Sequence, residues 1–469
     1  MKRNKTARPF GFRDKLGYLF GDFGNDFTFL LSTMLLLKFY TDVIGISGAT
    51  VGTVMMVARF ADAFTDVAMG RICDKSPITR AGKFKPWLLR MCGPVAIASF
   101  LLYQSSLASA PEPIKILWLL ATYVLWGSVF YTSINIPYGS MASAISADPA
   151  DRQSLSTYRT MGGTLAGLIV GVGIPLFAYD KVGEQTVING SKVTVIAGIF
   201  SLLSVACYLL CYFLTTERVL SEASREQHQL HSVKAMFSNA VKNRALISII
   251  GASVVMLLAQ LTLQNMASYI FPDYYNNAAA QSASTVCMMG GMVAAALLAK
   301  PLSKRFGKAE ISAVSNLFAA AVCLFLFFLR PQNVWVYIGI QTLSWLGLGI
   351  FSMVSWALIT DVIDASELKN GIREDGSIYA LYSFARKLGQ ALAAGTSGWL
   401  LTVIGYDQSA VLSGEPQSSQ VLNGIFNIST LVPAIGFAAL GLILWLWYPL
   451  HKKQVEQNVA RLREKHEER

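Results

Sequence analysis

The sequence predicts an all-α membrane protein: twelve transmembrane helices arranged as two six-helix bundles. Three observations predict it. Apolar blocks long enough to cross a bilayer recur along the whole chain. Polar linkers of the kind that separate soluble domains do not interrupt them. Basic residues gather in alternate loops, which is the signature of membrane orientation. Composition agrees: of 469 residues, 53% are hydrophobic and 14% charged, where soluble domains run near a quarter charged. Mean hydropathy is +0.46.

The blocks fall at 17–41, 48–73, 86–108, 115–139, 157–179, 193–215, 244–271, 281–301, 310–330, 334–361, 377–404 and 422–449. Each is long enough for a membrane helix, whereas barrel strands are shorter and alternate in polarity. Loops after even-numbered blocks are basic: Lys75, Arg80, Lys83 and Lys85 follow block 2, and Lys304, Arg305 and Lys308 follow block 8. The opposite loops hold little beyond Lys115, Lys181, Lys192 and Arg330. Both termini are therefore expected in the cytoplasm, the chain being multi-pass in the inner (plasma) membrane. A net charge of +11 spread over short loops in this way argues against nucleic acid as a partner.

The longest internal polar stretch, 216–243, divides the blocks six and six. Expected boundaries are 1–215 and 244–450 for the bundles, 216–243 for a central cytoplasmic loop and 451–469 for a cytoplasmic tail. The loops DKSPITRAGKFKPW and KPLSKRFGKAEI echo one another, each with a Gly-Lys pair at the matching place in its half. Glycine stretches such as GGTLAGLIVGVG let helices approach closely; no lysine-serine or lysine-threonine pair follows them, so they do not read as phosphate loops. The six cysteines lack metal-ligand spacing and read as small packing residues. No short apolar run with a cleavage site follows the basic first residues, so no cleavable signal is expected.

The stretch ARFADAFTDVAMG puts Arg59, Asp62 and Asp66 inside block 2. Asp62 and Asp66 are one turn apart and share a helix face, with Thr65 beside them. One carboxylate at mid-bilayer costs about 2.5–3.5 kcal/mol on insertion scales. Such a pair must face protein, and it needs a cation: Arg59, a proton or a metal ion. In block 1, Asp22, Asn25 and Asp26 fall within about one turn; Asp22 is expected near the membrane edge and Asp26 deeper. Lys38, at the far end of that block, is expected to snorkel outward. Block 4 reads YTSINIPYGS. Thr132 and Asn135 can point into one cavity, Pro137 bends the helix, and Tyr138 offers a ring to stack on a sugar. Arg159 in block 5, Gln260, Gln264 and Asn265 in block 7, Trp345 and Trp356 in block 10, and Arg386, Lys387 and Gln390 in block 11 complete the polar and aromatic set. Carboxylates, amides, cations and aromatic faces are what binding a polar solute requires. No nucleophile–base–orienter constellation appears, which speaks against an enzyme.

The longest strings, GDFGNDF, KFYTDVIGIS, ARFADAFTDVAMGRICD, RAGKFKPW, YTSINIPYGS and DVIDASELKNGIREDGSIYALYSFARKLGQAL, resemble the glycoside–pentoside–hexuronide:cation symporters, of which the melibiose permease is the best-known member. The resemblance covers residues 10–450. It implies the major-facilitator fold and uptake of a glycoside driven by H+ or Na+, with no cofactor. It implies a cation site at Asp62, Thr65, Asp66 and Thr132, with Asp62 and Asp66 as metal ligands if the ion is Na+. It implies a sugar site drawing on Asp26, Asn25, Asn135, Tyr138, Arg159, Gln264, Trp356 and Lys387. This chain departs from the pattern at three sugar-site positions: Asn25 stands for a lysine, Asn135 for an acid and Gly139 for a tryptophan. The loss of an acid beside Arg159 and Lys387 suits an anionic or smaller sugar; a hexuronide, a pentoside and a galactoside all remain open. At the cation site Thr65 stands where an asparagine is frequent, which favours H+ as much as Na+.

The implied mechanism is alternating access by a monomer in the lipid bilayer. Asp74, Arg80, Lys83 and Lys85, with Asp361 and Arg373, are expected to form gating latches. A non-transporting sugar receptor, a lipid carrier on the same fold and a sugar exchanger are the competing readings.

Overall fold

In hydrocarbon a spanning backbone must satisfy its own hydrogen bonds, and the chain meets that demand with helices. A computed structural model describes residues 2–3, 8–182, 185–220, 243–370 and 375–467. The long helices are α1 (Phe12–Asp42), α2 (Gly48–Lys75), α3 (Lys85–Leu102), α4 (Glu112–Ile145), α5 (Pro149–Phe177), α6 (Gly190–Leu214), α7 (Arg244–Tyr274), α8 (Ala278–Phe306), α9 (Lys308–Leu329), α10 (Val334–Asn370), α11 (Asp375–Val403) and α12 (Ser419–Trp447). Each covers one of the twelve apolar blocks. A short helix, Gln408–Ser413, follows α11, and α13 (Lys452–Glu467) closes the chain. The hairpin Tyr179–Val182/Gln185–Ile188 joins α5 to α6.

Among the described residues, nine of these helices are apolar and long enough to cross a membrane. The other three, α1, α2 and α11, are those whose interiors carry Asp22 and Asp26, Arg59, Asp62 and Asp66, and Arg386 and Lys387. The chain forms two compact units. The first takes residues 1–226, 276–282 and 398–418; the second takes 227–275, 283–397 and 419–469. In the first, α1 packs along α5 and α6, and α3 along α6. In the second, α9 packs along α10 and α12, and α12 along α7. All six cysteines are free, and five of them are buried.

The echo between the two basic loops has a physical content. Gly82 and Gly307, the glycines of the two Gly-Lys pairs, both take positive φ, +119° and +103°. At Gly82 the Glu217 carboxylate accepts the backbone N–H groups of Lys83 (2.7 Å), Phe84 (2.9 Å) and Lys85 (2.7 Å). Lys85 Nζ donates back to the carbonyl of Thr215, 2.8 Å. At Gly307 the same motif appears with the partners exchanged. Glu310 accepts from the N–H of Lys452 (2.7 Å), and Lys452 Nζ donates to the carbonyl of Arg305 (2.9 Å). A Cβ on either glycine would meet the glutamate side chain. Burial pushes the Glu217 carboxyl above the ordinary glutamate range, and the three N–H donors pull it back. The free carbonyls at the ends of α6 and α12 are likewise capped by arginines, Arg8 on Leu214 (3.0 Å) and Arg244 on Trp447 (2.9 Å).

The residues expected in latches have local contacts of this kind. Lys83 and Lys85 bind elements of their own unit, and Lys83 Nζ donates to the backbone carbonyl of Asp74 at 3.0 Å and lies 5.7 Å from the Phe84 ring. Asp74 and Arg80 are exposed. Asp361 is ion-paired with Lys308 at 2.5 Å, inside the second unit. Arg373, and most of the central segment 216–243, lie outside the described residues.

Lys38 also differs from its expectation. It is buried, pairs with Asp42 at 2.6 Å and lies 3.0 Å from the Tyr406 hydroxyl, which itself donates to Asp42 at 3.0 Å. Snorkelling serves a lysine with no counter-charge; one turn away on the same helix, Asp42 supplies one.

Gly82→Ala is expected to destabilise the protein by about 1–3 kcal/mol through the forced positive φ, read as a lower melting temperature in detergent; an unchanged midpoint would show that Glu217 does not anchor the loop. Lys38→Met should cost about 3–5 kcal/mol by stranding Asp42, and adding Asp42→Asn should recover most of it in the same thermal assay.

Candidate functional site

The cation-site residues come together on α2 and α4. Asp62 and Asp66 lie one turn apart on α2 and meet Ser128 and Thr132, which lie one turn apart on α4. Ser128 Oγ donates to Asp62, and Thr132 Oγ1 donates to Asp66 at 2.8 Å. The result is a ladder of two carboxylate–hydroxyl rungs. Its geometry depends on a π-helical segment, Leu125–Tyr131, in the middle of α4; such segments recur at functional sites because they re-aim side chains. Gly127, in that segment, faces Asp62: a Cβ there would stand 3.6 Å from Asp62 Oδ1, in ordinary contact.

Arg59 approaches Asp62 Oδ2 only at 3.7 Å and is held under the rings of Phe29 (4.9 Å) and Tyr123 (6.0 Å). It partly offsets the charge of Asp62 without a close fork. Thr65 differs from its expected role, since its hydroxyl donates to the backbone carbonyl of Asp62 at 3.2 Å, as threonines inside helices commonly do. Ser128 was not singled out in the sequence, although its spacing of four from Thr132 carried the signal. The donor atoms are all oxygen, a set that hard cations take and that a proton can also join. Among the described residues, no cluster of three or more His, Cys, Asp or Glu is placed to hold a metal ion.

A second cluster lies on α1, α4 and α5. Arg159 Nε donates to Asp22 Oδ1 at 2.9 Å. Asp22 is therefore a paired carboxylate and not a peripheral one, because Arg159 lies across from it on α5. Asp26, one turn further along α1, forms no ion pair among the described residues and is half-buried. Gly163, one turn after Arg159, makes room for both acids. A Cβ there would stand 2.7 Å from Asp26 Oδ2 and 3.1 Å from Asp22 Oδ2.

Two expected sugar contacts are corrected. Tyr138 is fully buried and stacked on Tyr18 at 4.6 Å, its hydroxyl donating to the Tyr18 carbonyl at 2.6 Å. It offers no open face; it supports the Arg159 guanidinium, 5.1 Å from its ring. Asn25 is buried, accepting from Tyr208 (2.7 Å) and donating to Asn135 (3.3 Å). It joins three helices, and Asn135 is the half-buried end of that chain.

The other predicted residues belong to the second unit. Gln264 on α7 and Lys387 on α11 are half-buried. Trp345 is buried, whereas Trp356 is exposed and stacks on Tyr379 at 4.9 Å. Asn265 donates to Ser397 at 3.0 Å and is a packing residue.

Comparison with known proteins bears on what such a set of residues does. Residues 17–452 match the family described as MFS/sugar transport protein. The chain belongs to that family. It is 32% identical to the uncharacterized symporter YjmB of Bacillus subtilis, covering 98% of this chain and 97% of the relative. It is 30% identical to the isoprimeverose transporter of Lactiplantibacillus pentosus (97% and 91% covered) and 28% identical to the glucuronide carrier protein homolog of Escherichia coli (96% and 95%). Among solved structures, the nucleoside transporter NupG superposes with a TM-score of 0.64 at 14% identity, covering 91% of this chain and 99% of that one. The D-xylose–proton symporter superposes at 0.62 and 14%, covering 93% and 97%. At these identities the structures show the fold, a twelve-helix major-facilitator transporter, and the chain is an integral membrane protein.

Gly163→Ala is expected to separate Asp22 from Arg159 and cut solute uptake by about tenfold or more, since a buried charge-assisted hydrogen bond contributes about 1.5–3 kcal/mol. Uptake by cells expressing equal amounts of both proteins measures it, and undiminished uptake would mean the two acids tolerate the added methyl.

Proposed function

We propose that the protein is a secondary active symporter that moves a glycoside (a hexuronide, pentoside or galactoside) together with H+ or Na+. It is not an enzyme, and it works as a monomer in the inner membrane with both termini cytoplasmic. The observation that carries the reading is the two-rung ladder Asp62–Ser128 and Asp66–Thr132, which shares α4 with the residues around Asp26 and Arg159. The names of the relatives support the substrate class, since they include a glucuronide carrier homolog and an isoprimeverose transporter. The basic bias of alternate loops supports the orientation.

An arriving cation discharges Asp62 and Asp66 and takes oxygen atoms from Ser128 and Thr132. With that charge removed, α4 settles against α2, and Asn135, three residues beyond Thr132, is held toward Asp26 and Arg159 for the sugar. Coupling of this kind is reciprocal, so bound sugar raises cation affinity by the factor by which the cation raises sugar affinity. Hydroxyl donors on both acids, and threonine at 65 where an amide would add a further oxygen, support H+ as the coupling ion; Na+ is the second candidate.

Asp66→Asn in proteoliposomes is expected to abolish cation-driven accumulation while sugar counterflow persists; accumulation that survives unchanged would remove Asp66 from the coupling site. Thr132→Ala should weaken the apparent cation affinity about tenfold, close to 1.4 kcal/mol, measured as the Na+ or H+ concentration that half-saturates uptake.

A further inference from the structure

Arg386 lies in α11 with eleven helical residues before it and seventeen after it. At about 1.5 Å per residue its Cα is roughly 16 Å along the helix from the nearer end. It is half-buried, and among the described residues no carboxylate pairs with it. Lys308 in the same unit, by contrast, is paired with Asp361. What Arg386 touches is aromatic. Its guanidinium lies 5.8 Å from the Trp356 ring and 6.0 Å from that of Tyr382. Tyr379, Tyr382 and Arg386 fall on one face of α11, at spacings of three and four. Trp356 on α10 stacks flat on Tyr379, with 23° between the planes, and meets Tyr382 edge-on at 5.1 Å.

Trp356 and Tyr379 remain 40% and 53% exposed. A guanidinium without a counter-ion is not stable against acyl chains, so this shelf lines space that water enters. Three rings with a guanidinium at their edge that pairs with no carboxylate among the described residues match an acidic pyranoside. The apolar face of the sugar ring lies on the indole, and the planar fork takes the two oxygens of a carboxylate.

We propose that Arg386 is the specificity-determining residue that reads the carboxylate of a uronide, with Trp356 as the platform for its ring. The proposal rests on the glycoside-symport reading and narrows it to an anionic substrate. Tyr382 is a positioning residue: its hydroxyl is hydrogen-bonded with that of Ser253 at 2.8 Å, which fixes the ring beneath the guanidinium. Lys387, the next residue, projects about 100° further round the helix and does not share the shelf.

The test compares 4-nitrophenyl β-D-glucuronide with 4-nitrophenyl β-D-glucoside, which differ only in a carboxylate against a hydroxymethyl group. Binding to the purified full-length protein and cation-driven accumulation in proteoliposomes are both measured. The wild type should prefer the glucuronide by about tenfold or more. Arg386→Gln should bring that ratio to about one while leaving the affinity for the glucoside in place, and Arg386→Lys should keep part of the preference. Trp356→Ala should weaken both ligands alike. A wild type that does not prefer the glucuronide overturns the proposal, as does an Arg386→Gln protein that keeps the preference or loses both ligands equally while Arg386→Lys keeps both. The symport reading is judged separately: if a neutral xyloside or glucoside still accumulates with the cation, that reading stands and only the carboxylate assignment falls, whereas no accumulation of any glycoside sinks both.

Discussion

A charge held away from water must meet an opposite charge or a fitted donor, and that requirement arranges the interior of this protein. Asp22 meets Arg159 across α1 and α5; Asp14 meets Arg8 and Arg218; Lys38 meets Asp42; Asp361 meets Lys308 across α10 and α9. Asp62 and Asp66 meet hydroxyls on α4. Most of these contacts bridge two segments, so they set register between helices that apolar packing alone would leave free to rotate. Breaking one such buried pair costs far more than the intact pair contributes relative to an apolar substitute. Against that background the exceptions stand out. Asp26 and Arg386 have no ion-pair partner among the described residues, one in each unit.

Much of this was legible in the sequence. Helix number and placement follow from block length and polarity, which is why all twelve apolar blocks reappear as helices. The motif resemblance names Asp66 and Thr132 together, and the structure brings them into contact; Trp356 is exposed. What failed to read were contacts set by a second helix. Tyr138 looked available because its own helix face carries Asn135 nearby, but Tyr18 lies flat on it from α1. Asn25 looked like a ligand until Tyr208 on α6 took its oxygen. For Ser128 the sequence offers its spacing of four from Thr132, whereas the π-segment it lies in has no sequence signature. Lys38 departs from snorkelling because Asp42, four residues on, pairs with it, and Tyr406, 368 residues away, also binds it.

The two halves share more physics than sequence. Each unit uses a positive-φ glycine to turn its basic loop and a glutamate to bind backbone N–H groups where that loop meets the chain leaving the unit's last helix. The carboxylate sits on the departing chain in one half and in the first turn of α9, just after the loop, in the other. A duplicated structural problem has thus been solved twice with donor and acceptor interchanged, which explains why the Gly-Lys pair repeats while its surroundings diverge.

The π-segment of α4 also bears on how this protein tolerates change in chain length. An α-helix advances about 100° per residue, so a surplus residue absorbed between Leu125 and Tyr131 sets the azimuth of everything after it. Removing a single residue there would swing Thr132, Asn135 and Tyr138 together off the neighbours they now face, although no named side chain had been altered. Substitution can be graded at each of these positions. Length at this one point cannot, and it is the dimension along which the helix is least free to drift.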